Sequence, residues 1–192
     1  MTKLANALRD VMAALPTRHA LVGGLAVSAR AEPRFTRDVD FAVAVDNDAQ
    51  AERVIYELQQ RGFLVAATIE QTVTNRLATV RMRDAGEGPY LDLLFASCGA
   101  EPEIVAGATP LDVLGVRVPV AAVGDLIAMK LVSRDPRRRP RDQQDLVELA
   151  AVADATEWAR AATTIELIAQ RGFARGRDLR AGLAEVRLLV ED

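Results

Sequence analysis

The chain of 192 residues has one cysteine, one histidine and only 4% aromatic residues. Cys98 cannot close an internal disulfide, and with His19 as the sole histidine there is no Cys/His set for a structural zinc. Any metal must therefore be held by oxygen, which selects a hard cation such as magnesium. The few aromatics offer no platform on which single-stranded bases would stack. No apolar run approaches the roughly 18 to 20 residues of a membrane span. The N-terminus alternates charged with apolar residues, unlike a signal peptide, so a cytoplasmic protein without membrane association is expected. An excess of basic charge is missing too: 24 basic against 27 acidic side chains leave a net charge of -3, which argues against broad coating of nucleic acid but not against a local basic patch.

What is present is an ordinary core composition, 50% hydrophobic and 27% charged, which excludes disorder. The length fits one domain with at most a small annex. A shift to purely helical patterning near residue 123 divides the chain into an expected catalytic core, residues 1–122, and a helical C-terminal region, 123–192, packed on it. Of the basic residues, 22 are arginine and two are lysine, and Lys130 is the only lysine away from the N-terminus. Coding bias explains an arginine excess; it does not explain where the one interior lysine stands.

Apolar spacing predicts a helix from Leu4 to Leu15, stopped by Pro16. A short strand, His19 to Val22, runs into Gly23-Gly24 and a small-residue helix to Ala31. A valine-rich strand from Asp38 to Val45 leads to a helix from Ala49 to Arg61, with Asp46, Asn47 and Asp48 as cap candidates and Gly62-Phe63 as its stop. Three strands follow, 64–69, 77–82 and 90–95, the last two separated by the turn-forming Gly86-Glu87-Gly88-Pro89. A short helix near Ile104 and a hairpin around Gly115 precede the helical remainder. The string Gln-Arg-Gly-Phe occurs at residues 60–63 and again at 170–173, which reads as one stop signal used by two helices rather than a repeat.

The chemistry concentrates in Gly23-Gly24 and Arg34-Phe35-Thr36-Arg37-Asp38-Val39-Asp40. On a strand, Asp38 and Asp40 project to one face, with α-carbons about 6 to 7 Å apart. Such a pair can bridge divalent ions for in-line phosphoryl displacement. The alternative, an exposed polar strand face, leaves two like charges repelling on an element that disfavours aspartate. Asp92 sits in Tyr90-Leu91-Asp92-Leu93-Leu94-Phe95, opposite the apolar face of its strand; it either faces water or completes a metal site and accepts a proton from an attacking hydroxyl. Amides at a glycine-started helix can approach a triphosphate, with Ser28, Thr36 and Arg37 as further contacts, although tight turns need glycine in any case. Lys130 lies at the edge of an apolar helical stripe, where it either snorkels to water or meets a triphosphate. Asp142 and Asp145 share a helix face; they serve as cap and dipole partners, or one of them orients Lys130 or an arginine of the 134–141 stretch, and a mixture is expected, with Asp142 near the cap and Asp145 facing the site. The arginine-rich stretch from Arg134 to Arg141 and the cluster Arg171, Arg175, Arg177 and Arg180 are solvated surfaces or nucleic-acid contacts. His19 and Trp158 are expected to pack.

The combination resembles the nucleotidyltransferase superfamily that includes DNA polymerase beta: Gly23-Gly24, Asp38-Val39-Asp40 and Asp92 are similar to its glycine pair, Asp-x-Asp strand and third acid. Within it, Gly-Gly-Leu-Ala-Val with Arg-Phe-Thr-Arg-Asp-Val-Asp, the Lys130 helix, and Arg141-Asp142-Gln143-Gln144-Asp145-Leu146 are similar to motifs of the AbiEii/AbiGii toxins and the related MenT-type toxins. The resemblance implies an α/β (α+β) nucleotidyltransferase fold, a short mixed sheet flanked by helices. It implies catalytic roles for Asp38, Asp40, Asp92, Lys130 and Asp145; Mg2+ (or Mn2+) on Asp38, Asp40 and Asp92; and a nucleoside triphosphate on Gly23, Gly24, Ser28, Thr36, Arg37 and Lys130. The function it implies is a toxin of a toxin–antitoxin or phage-defence system that transfers a nucleotide to RNA, such as the tRNA 3′ end, restrained by a cognate antitoxin. The chain lacks the large C-terminal lobe of many such toxins, so a small-molecule nucleotidyltransferase stands beside this reading. An inactive binding partner is the rival from another class, and the acidic triad argues against it.

Overall fold

The computed structural model describes residues 3–15, 18–72, 74–84, 88–135 and 140–190. Helix α1 (Lys3–Ala14) turns Leu8 and Val11 into the core as its spacing predicts; Pro16, its expected stop, lies outside the described residues. Strand β1 (His19–Val22) passes directly into α2 (Gly23–Arg30). Strand β2 (Val39–Val43) is shorter than its predicted range. Helix α3 (Asp48–Gln60) starts at Asn47, whose side chain accepts from the Gln50 amide, so the middle of the three cap candidates is the one used. It ends at Gly62, with φ of 93°, and at buried Phe63. The second Gln-Arg-Gly-Phe string ends a helix in the same way, with Gly172 at φ of 82° and Phe173 buried.

Strands β3 (Phe63–Gln71), β4 (Arg76–Asp84) and β5 (Tyr90–Leu94) follow, then α4 (Glu101–Gly107) and the hairpin β6 (Thr109–Val113) and β7 (Val116–Val120). Residues 86 and 87 of the predicted turn at 86–89 lie outside the described residues. Among the described residues the seven strands form one sheet in the order β3-β4-β5-β2-β1-β7-β6. It is mixed, as expected: β2 runs parallel to β5 and β1 to β7, while the other neighbours are antiparallel. The helices α5 (Val123–Ser133), α6 (Pro140–Val152), α7 (Ala155–Gln170) and α8 (Leu179–Leu188) complete the chain.

Helix α5 is buried along most of its length and packs against α2, α6, α7 and α8, which explains why it is largely apolar around Lys130 and the buried Asp125. One continuous cluster of buried residues links the sheet to these helices, from Leu8 and Phe41 to Leu149 and Ile168. His19 meets the edge of Phe41, their ring centroids 5.4 Å apart. Trp158 is partly buried under the Arg187 guanidinium. The second arginine cluster is largely spent on internal contacts. Arg171 pairs with Glu103, Arg175 donates to the Ser97 carbonyl, Arg177 to the Val132 carbonyl, and Arg180 pairs with Glu166. These side chains tie α7, α8 and their connection to neighbouring elements while all four stay exposed at the surface.

Candidate active site

Register brings the acids together. Val22 faces Asp40 across β1 and β2, Asp40 faces Asp92 across β2 and β5, and Asp92 faces Arg81 across β5 and β4. Residues level with one another on adjacent strands share a face, so Asp40, Asp92 and Arg81 form one row. Asp38, two residues before Asp40, stands on the same side at the mouth of β2. Asp92 is buried, which removes the alternative of a strand-end carboxylate facing water.

At the other end of the row, β1 turns into α2 at Gly23, whose φ is 65°. A β-carbon there would lie 2.1 Å from Asp40 Oδ2, and one on Gly24 would lie 2.8 Å from an Arg34 guanidinium nitrogen and 3.1 Å from Thr36 Oγ1. The glycine pair is therefore a close approach: the backbone can lie against Asp40, Arg34 and Thr36 only because no side chain intervenes. No side chain caps the start of α2, which leaves its first amides without a capping partner from the preceding residue. Ser28 turns inward. Its hydroxyl lies 3.1 and 3.3 Å from the Gly24 and Arg34 carbonyl oxygens, which share its single proton, and accepts from the Arg34 amide, fixing the segment before β2 onto α2. Thr36 Oγ1 lies 3.5 Å from the Asp38 carbonyl oxygen, and Arg37 stacks on exposed Phe35.

Lys130 neither snorkels nor stands alone. Its Nζ donates to Asp142 Oδ1 at 2.8 Å and lies 2.5 Å from Asp145 Oδ2. Asp145, fully buried, also receives Arg34: Nη2 donates to Oδ2 at 2.8 Å, and Nε lies 2.6 Å from Oδ1. Ser133 Oγ donates to the second Asp142 oxygen. Asp142 stands in the first turn of α6, near the cap as expected, yet it also pairs with Lys130, and Asp145 is the one expected to face the site. The structure pairs it with both Lys130 and Arg34, an arginine that stands in the motif before β2. Residues 136–139 of the 134–141 stretch lie outside the described residues; Arg134 pairs with Glu185, and Arg141 reaches the cleft described next.

Arg81 is the residue that sequence reading missed. Its Nε and Nη2 donate to the two oxygens of Asp92 at 2.8 and 2.6 Å, and Nη2 lies 3.8 Å from Asp38 Oδ2. The only available signal was its position in the alternating strand 77–82, where a basic residue on the face opposite the core invites an acidic cross-strand partner. Beside it opens a cleft of about 420 Å³, lined among others by Thr36, Arg37, Asp38, Arg81, Tyr90 and Arg141.

Crowding of carboxylates sets the electrostatics. The Asp40 carboxyl is pushed up to about 7, first by burial, then by Asp92 and Asp38, with Lys130 and Arg81 pulling the other way. Asp40 is thus only partly ionised near neutrality unless another cation arrives. The donor set fits a hard divalent ion: all candidate ligands are carboxylate oxygens, and Asp40 is left short of positive charge by its surroundings. Among the described residues, however, no three acidic, histidine or cysteine side chains converge closely enough to hold a metal as they stand, with both Asp92 oxygens engaged by Arg81.

This fold is that of nucleotidyltransferases. The structure is similar to an antigenic nucleotidyltransferase-like protein of Paracoccidioides brasiliensis, with 18% identity, 94% of this chain and 90% of that one covered and a TM-score of 0.50. It is similar also to the lincosamide antibiotic adenylyltransferase LnuA with lincomycin bound, with 15% identity, 80% and 98% covered and a TM-score of 0.51. At these identities the likeness is one of fold. A model of the nucleotidyl transferase AbiEii toxin family, of type IV toxin–antitoxin systems, matches residues 6–191, and the chain belongs to that family. It is a nucleotidyltransferase of the toxin class. No curated protein sequence matches it. Among the described residues no helix is long and apolar enough to cross a membrane.

Proposed function

We propose that the protein is a divalent-metal-dependent toxin that transfers a nucleoside monophosphate from a nucleoside triphosphate to a hydroxyl of RNA, such as the 3′ end of tRNA, and is restrained by a separately encoded antitoxin. The observation that carries the reading is the in-register row of Asp40 and Asp92, with Asp38 at its mouth, set against a helix that starts on glycine. Asp38, Asp40 and Asp92 would hold Mg2+ or Mn2+. When bound, such an ion neutralises triphosphate charge and eases ionisation of an attacking hydroxyl. The amides of Gly23 and Gly24 bind triphosphate oxygens, and Thr36, Arg37 and Lys130 add donors around them. Asp92 takes the hydroxyl proton as the acceptor oxygen bonds to the α-phosphorus and the α–β anhydride bond breaks, releasing pyrophosphate. The core of residues 1–122 supplies the acids, and the helical region 123–192 supplies Lys130 with its partners. An RNA acceptor is supported by the cleft: Arg37, Arg81 and Arg141 on its walls suit a polyanion.

A second reading, a small-molecule nucleotidyltransferase, is favoured by the volume of that cleft, which is within the range of small-ligand pockets. Labelled triphosphates incubated with total tRNA or with a panel of aminoglycosides and lincosamides separate the two, since label enters RNA in one case and an antibiotic in the other. Asp92→Asn is expected to lower transfer by about 10²- to 10⁴-fold. Growth arrest that persists undiminished on expression of Asp40→Ala would overturn a catalytic toxin altogether.

A further inference from the structure

A carboxylate whose two oxygens both grip a guanidinium has part of its lone-pair capacity and much of its negative charge already engaged, and so holds a second cation or a proton more weakly. Asp92 is in that position: the Arg81 fork engages Oδ1 and Oδ2 together, the charge-assisted bidentate geometry that makes arginine–carboxylate pairs strong. The same guanidinium packs 5.0 Å from the Tyr90 ring centroid and borders the arginine-lined cleft, with the side chain 41% exposed. Arg81 thus has a buried anion on one side and an open, basic-walled cleft on the other.

We propose that Arg81 is a positioning residue that locks Asp92 until an anionic acceptor occupies the cleft. A phosphate of the RNA takes over the guanidinium, and the released carboxylate joins Asp38 and Asp40 in holding the divalent ion. The exchange preserves charge pairing on both sides, because a phosphate offers the guanidinium the same two-oxygen match that Asp92 does. It also keeps the acidic row incomplete when no acceptor is present. By linkage, RNA and the metal then tighten each other's binding. The inference rests on the reading of the cleft as the acceptor side.

Metal affinity tests it without turnover. Mn2+ binding to the full chain is followed by its electron paramagnetic resonance signal, with and without a fluorescein-labelled single-stranded RNA whose binding is followed by anisotropy. In the wild type, bound RNA is expected to tighten Mn2+ by about tenfold. Arg81→Gln is expected to bind Mn2+ without RNA about as tightly as the wild type does with it, and to lose the coupling. Arg81→Lys keeps a cation beside Asp92 for folding but cannot span both oxygens, so it too should lose most of the coupling. Undiminished coupling in either variant, or wild-type Mn2+ affinity indifferent to bound RNA, overturns the lock alone. Failure of the wild type to bind RNA overturns the acceptor reading, and the lock with it.

Discussion

Asp40 has no room to be an ordinary aspartate. Gly23 lies over its carboxylate, Asp92 is level with it on the next strand, and burial with these like charges lifts it to about 7. An acid whose folded-state pKa is raised binds protons more tightly when folded. Its contribution to stability is therefore full below about pH 4 and is lost as pH rises through about 7. In chelator-containing buffer the protein should lose on the order of a few kcal/mol of stability across that window, and Asp40→Asn should flatten the profile; thermal unfolding at a series of pH values measures both. A profile with the same slope in the variant would assign the dependence to another group. Lys130 makes a second residue-scale prediction. Its ammonium fits between two carboxylates 2.8 and 2.5 Å away, a space shaped for a compact charge and not for a planar fork. Lys130→Arg should keep the charge yet lower transfer by about tenfold or more, whereas near-normal turnover would mean that any cation serves there.

At the scale of elements, the junction of β1 and α2 combines two demands on one residue: a left-handed φ and an approach too close for a β-carbon. Gly23→Ala meets both penalties. Destabilisation of about 1 to 3 kcal/mol is expected in urea unfolding, with activity falling because Asp40 must move to make way. If Gly24→Ala proved equally costly to the fold, the left-handed backbone would not be the cause, since only Gly23 of the two has positive φ. The β4 strand shows why Arg81 escaped sequence reading. Alternation in its own segment places it on the face opposite the core but names no partner; that comes from β5, whose antiparallel pairing with β4 sets Arg81 against Asp92.

On the scale of the whole molecule, Asp145 is the joint between its parts. From α6 it reaches Lys130 on the preceding helix α5 and Arg34 on the segment before β2, so two consecutive helices and a stretch far away in sequence meet at one buried carboxylate. Asp145→Ala leaves two cations facing each other without their common anion, and a loss of about 3 to 5 kcal/mol is expected by chemical denaturation; a loss below about 1 kcal/mol would show that solvent or Asp142 takes its place. The alternation of β2 and β5, the glycine pair, the stop signals at Gly62 and Gly172 and the apolar stripe of α5 were all legible in the sequence, because side-chain periodicity and turn chemistry are local properties. From them followed the elements, the acids and the lysine. What only the tertiary structure decided was who stands beside whom. The crossover from β2 to β5 brought Asp40 level with Asp92, pairing with β4 laid Arg81 across Asp92, and helix packing gave Lys130 two aspartates and Arg34 one. Those neighbours are separated by many residues along the chain, and no local pattern encodes them, because strand order and register are settled by burying one core and not by any single segment.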